Sequence, residues 1–150
     1  MKKRAKRKVS AGLLPIQRQL SLGQRGQFFD LRAIFKRLNA RYFRNKLTRY
    51  RIVWGRRRKL RPVSYFVYGT IQEEDRLIRI HPLLDAAFVP EWFVEYVIYH
   101  EMLHAVVQDE VHPSGRRRVH TKEFKEKEQK YRNYRRAQRW EAQNLARFLR

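Results

Sequence analysis

The sequence predicts an α+β domain. Three observations carry that reading: an apolar stripe at helical spacing over residues 28–47, three short runs of β-branched and aromatic residues between 51 and 81, and an almost wholly apolar stretch from Pro90 to Val107 followed by basic helical sequence. With 150 residues, 43% hydrophobic and 13% aromatic, the chain can bury one core once a polar leader is set aside.

Lys2-Lys3-Arg4-Ala5-Lys6-Arg7-Lys8 and the Gly/Ser/Gln-rich residues after them are expected to form a disordered basic arm over 1–26, with one folded domain over 27–150. Apolar residues then recur at Phe28, Leu31, Ile34, Phe35, Leu38, Tyr42 and Phe43 with basic residues on the other face, which predicts the first helix. Arg51-Ile52-Val53-Trp54 predicts a strand, residues 63–71 a second and 76–81 a third. A basic loop at 56–61 separates the first pair, and Gln72-Glu73-Glu74-Asp75 turns between the last two. Pro82 ends the third strand, residues 83–87 suit a helical turn, and Pro90 opens the apolar helix. Asp109 to Val119 reads as a polar loop. Thr121 to Arg150 predicts basic helices whose Phe124, Tyr131, Tyr134, Trp140, Leu145, Phe148 and Leu149 face inward.

Charge is segregated along the chain. Residues 1–61 carry net +20, residues 62–115 net −7 and residues 116–150 net +9, within a total of +22. Basic blocks of this density are the electrostatic footprint of a polyanion, so DNA or RNA is an expected partner. The absence of cysteine excludes disulfides and cysteine-ligated zinc ribbons, leaving imidazole and carboxylate as metal ligands. No apolar run approaches the length of a membrane span, so no membrane partner is expected, and the cytoplasm, with nucleoid association, is the expected location.

The apolar helix contains His100-Glu101-Met102-Leu103-His104. Histidines four apart share one helix face about 6 Å apart, close enough for both rings to ligate one Zn²⁺, and Glu101 stands where it could act on a zinc-bound water. Imidazoles and a carboxyl inside an apolar helix are costly to bury unless paired or bound. Catalytic zinc takes three protein ligands as a rule. A metzincin extension would need Gly at 107 and His at 110, where Val107 and Glu110 stand, so that class is excluded. After His104 the possible donors are Asp109, Glu110, His112, His120, Glu123, Glu126 and Glu128, and His120 is preferred because the turn containing Gly115 lets the chain reverse ahead of it. Glu123 is the alternative, as a ligand or as a group orienting His120 from one helical turn away. His112 is a weaker candidate, and His81 reads as an ordinary hydrogen-bonded residue.

His100-Glu101-Met102-Leu103-His104-Ala105, a loop, and His120-Thr121-Lys122-Glu123-Phe124 together resemble the active-site signature of SprT-like metallopeptidases, the group that includes the Spartan DNA-protein crosslink proteases. Weaker similarity reaches Asn39, Tyr42-Phe43, Trp54-Gly55 and Ile78-Arg79-Ile80-His81-Pro82, so that it covers roughly residues 28–135. The resemblance implies a compact zincin fold, with His100, His104 and His120 on zinc and Glu101 as general base. The chain departs from many relatives in lacking a C-terminal cysteine zinc ribbon.

The expected function is thus a zinc-dependent metalloendopeptidase that hydrolyses peptide bonds of protein or peptide substrates near nucleic acid. An open strand beside the metal helix would receive substrate as an added strand, and residues 76–81 are the expected one. Tyr65, Tyr68, Tyr99 and His112 are candidate oxyanion partners. The alternative function is a basic nucleic-acid-binding module with structural zinc, which gives Glu101 no task.

Overall fold

The computed structural model describes residues 23–57 and 64–149. Most of the arm expected over 1–26, positions 58–61 of the basic loop and the first residue of the second predicted strand lie outside the described residues. The order of elements is helix α1 (Leu31–Tyr42), strands β1 (Arg51–Trp54), β2 (Gly69–Gln72) and β3 (Leu77–Ile80), a 3-10 turn at Pro82–Leu84, and helix α2 (Glu91–His104). A two-stranded hairpin of β4 (Glu110–Val111) and β5 (Arg117–Arg118) follows, then helices α3 (Lys122–Glu128) and α4 (Tyr134–Asn144). The architecture is the α+β arrangement expected, with four helices and a small three-stranded sheet.

Helix α1 is shorter at both ends than the apolar stripe suggests. It starts late because Asp30 is its N-cap, accepting from the Ala33 amide, while the three preceding amides go elsewhere. Those of Gln27, Phe28 and Phe29 all donate to the Asp85 carboxylate, at 2.6, 2.8 and 3.2 Å. The helix stops at Tyr42 because Arg44 and Asn45 turn into the left-handed region, and buried Asn39 then holds Leu47 through both its amide and its carbonyl. Asp85 ties the entry of α1 to a turn more than fifty residues away. Asp85→Ala should leave three amides without their acceptor and lower stability by about 3 kcal/mol, checked by chemical denaturation.

The sheet order is β1-β3-β2. Strand β3 pairs in parallel with β1, Arg51 opposite Leu77 and Trp54 opposite Ile80, and antiparallel with β2, Gly69 opposite Ile80 and Gln72 opposite Leu77. This corrects the expectation that residues 76–81 form the open strand: β3 is central, its backbone groups used on both sides. The edge beside the helix that carries His100 and His104 is β2, which begins later than the predicted 63–71, since Ser64 and Tyr65 form a bend and regular pairing starts only at Gly69.

Helix α2 is the axis of the core, packed on β2 and β3 and against α1, α3 and α4. Phe93, Val94, Ile98 and Met102 are fully enclosed, each burial worth about 1.5–3 kcal/mol over exposure. It ends at His104. The loop that follows contains the β4–β5 hairpin, absent from the sequence reading, whose turn needs Gly115 at φ +84. The hairpin returns the chain to His120, and Thr121 then caps α3 by accepting from the Phe124 amide. Phe124, Tyr131 and Phe148 are buried as expected; Tyr134, Trp140, Leu145 and Leu149 are half-buried. Among the described residues no helix is long and apolar enough to cross a membrane.

Candidate metal centre

His100 and His104 occupy adjacent turns of α2 and His120 arrives from the residue before the α3 cap. Their ligand nitrogens all lie within 4.8 Å of one another. His100 Nε2 is 3.3 Å from His104 Nε2 and 3.1 Å from His120 Nε2. Two nitrogens at 2.0–2.1 Å from a tetrahedral Zn²⁺ would stand about 3.3 Å apart, so this donor set fits such an ion. Phe124 closes one side, its ring stacked 4.4 Å from that of His104. Burial, with the neighbouring rings of His100 and His120, pushes the His104 pKa down to about 4, and burial with His100 lowers that of His120 too. Both rings are therefore neutral and available to a cation at pH 7.

Glu123, the alternative ligand, is not part of this cluster: its carboxylate points to solvent and pairs with Lys127 Nζ at 2.8 Å. Nor does it orient a histidine. That position is taken by Glu128, which the sequence offered only as one of several possible metal donors. Glu128 Oε1 lies 2.7 Å from His100 Nδ1 and accepts from the Tyr96 hydroxyl at 2.8 Å, while Gln138 Nε2 donates to that same hydroxyl at 2.7 Å. Burial raises the Glu128 pKa, but hydrogen bonding and charge from His100, with the Tyr96 hydroxyl, outweigh it and hold the carboxyl below its ordinary value. An ionised partner at Nδ1 fixes the proton there and leaves Nε2 as a lone-pair donor. The signal in the sequence was the spacing Thr121, Phe124, Glu128, one buried face of a short helix.

Glu101 is buried, and burial, only partly offset by His100, raises its pKa to about 7. Its space is provided by β2. A Cβ at Gly69 would fall 3.0 Å from Glu101 Cγ and 3.2 Å from its Oε1, so a side chain at 69 would displace the carboxyl. Glu101 and His104 open onto a cleft of about 740 Å³ lined by Thr70 and Ile71 of the edge strand and by Val106 and Val119. Thus the outer edge of β2, a buried carboxyl and His104, one of three convergent imidazoles, meet in one cleft.

The other candidates lie elsewhere. Among the described residues Tyr68 has no partner for its hydroxyl and is packed between Phe93 and Phe148. Tyr99 donates to the Lys127 carbonyl at 2.6 Å, and Tyr65 is 69% exposed. None of these lines the cleft. His112 Nδ1 stays within its own turn beside Ser114, and His81 Nδ1 accepts from the Leu83 amide, as a hydrogen-bonded residue.

Residues 31–143 match the model of the SprT-like family. Neither a curated protein nor a solved structure matches the chain.

Proposed function

The chain belongs to the SprT-like family, and from that membership together with the cleft we propose that it is a zinc-dependent metalloendopeptidase of zincin-like design. The observation that carries the reading is the placement of a buried, readily protonated Glu101 beside three imidazoles spaced for one cation. His100, His104 and His120 would hold Zn²⁺, which supplies Lewis acidity that acidifies water and polarises the scissile carbonyl. Glu101 accepts the proton of the attacking water and delivers it to the leaving amine. Glu128 keeps the His100 ring in the ligating tautomer, and Tyr96 and Gln138 hold Glu128 in turn. Substrate pairs with the open edge of β2 as an added strand, which brings an extended, locally unfolded segment past the cleft.

The basic sequence blocks support action near nucleic acid, on proteins associated with DNA or RNA. A purely structural zinc site in a binding module gives no task to Glu101 and no reason for Gly69 to leave room for it.

The test is cleavage of an unstructured protein by the purified chain. A chelator should abolish cleavage, and stoichiometric Zn²⁺ should restore it; cleavage undiminished by complete zinc removal would overturn the reading. Glu128→Gln should weaken zinc binding about 10–100-fold, measured by competition with a chromophoric chelator, with the fold unchanged by circular dichroism.

A further inference from the structure

Helix α4 has two unlike sides. Its inner side packs Ala137 into the core and sets the Trp140 ring 4.3 Å from that of Phe93. Its outer side, with the turn before it, exposes Arg132, Arg135, Arg136 and Arg139, which line a groove of about 520 Å³ that no acidic side chain lines. Among the described residues none of these four arginines has a carboxylate partner. Two carboxylates beside the tyrosines of this groove are engaged: Glu95 with Arg37 and the Tyr131 hydroxyl, Glu128 with His100 and Tyr96. Arg136 is held without being neutralised, its guanidinium 4.2 Å from the centre of the Trp92 ring.

We propose that Arg132, Arg135 and Arg139 form a seat for the sugar-phosphate backbone of a nucleic acid, read without regard to base sequence. The proposal rests on the nucleic-acid part of the reading above and gives it a location. Like charges crowded on one surface repel, and a polyanion relieves that repulsion. Arg135 and Arg139 lie four residues, about 6 Å, apart along α4, and Arg132 extends the row from the turn before it, a spacing suited to neighbouring phosphates of one strand. The guanidinium fork suits phosphate oxygens better than an ammonium does. An anionic membrane is the less suitable polyanion, because a helix that lies on lipid inserts an apolar face, and the apolar residues of α4, Ala137, Tyr134 and Trp140, are packed against the core. The seat is also near the chemistry. Trp92, under Arg136, and His100 are eight residues apart on α2, about 12 Å along its axis.

The test is binding of labelled single-stranded and duplex oligonucleotides to the full chain between 50 and 200 mM salt, wild type against Arg132→Gln/Arg135→Gln/Arg139→Gln. Arg136 is left in place to keep its stacking. The variant is expected to bind at least about tenfold more weakly and to show a log-log salt slope shallower by about 2–3, with melting temperature and zinc content unchanged. A variant that binds as tightly as wild type would overturn the seat and leave nucleic-acid association standing. A wild type that binds no oligonucleotide would overturn both. Binding to anionic phospholipid vesicles that exceeds binding to oligonucleotides, and is lost in the variant, would assign the arginines to lipid and reject the proposal.

Discussion

Glu101→Gln is expected to lower the rate of peptide-bond cleavage by about 10²–10⁴-fold while zinc content stays at the wild-type level. The substitution keeps the shape of a side chain that is enclosed against Gly69 and removes only its capacity to take a proton. The three imidazoles are untouched, so metal content separates loss of the base from loss of the site. Cleavage must be measured on a segment that can enter the cleft extended, and an unstructured protein meets that need. The carboxyl has to be ionised to accept a proton, so the wild-type rate rises with pH; burial sets the midpoint at about 7, and a divalent cation beside it moves the midpoint lower. Equal cleavage by both proteins would remove Glu101 from the mechanism.

His120→Ala should weaken zinc binding by more than the 10–100-fold typical of losing an outer partner, and should abolish cleavage with it. His120 is the one imidazole of the three that α2 does not carry, and it stands 3.1 Å from His100 only because the β4–β5 hairpin returns the chain. Glu123→Gln is the matched control. Its carboxylate pairs with Lys127 on the surface, so zinc content and rate should match wild type. The opposite pattern, zinc lost with Glu123→Gln and kept with His120→Ala, would reassign the third ligand.

Much of this cleft was legible in the order of residues, for identifiable reasons. The pair His100 and His104 is a local, helical relation, and a single turn of backbone fixes which way both rings face. His120 could be selected because Gly115 marks a reversal and no cysteine competes for metal. What escaped depends on relations between elements. Nothing within residues 76–81 separates a central strand from an open edge, because strand order is decided by β1, which pairs along the far side of β3. The ends of α1 escaped because one was set by Asp85 and the other by left-handed residues Arg44 and Asn45. Glu128 ranked behind Glu123 among the possible donors because both lie on a helix of seven residues, too short for its buried face to stand out.

The open side of β2 carries a hazard as well as a use. Backbone groups that accept a substrate strand accept the strand of another copy equally well, the usual route to edge-to-edge aggregation. Here the exposed stretch is four residues long and ends in Glu73, Glu74 and Asp75. A short edge with a cluster of like charge at one end offers two copies little register and a repulsive approach. A substrate bringing basic or neutral side chains would meet no such barrier, so under the proposed function the same turn would keep copies apart and leave the edge free for substrate.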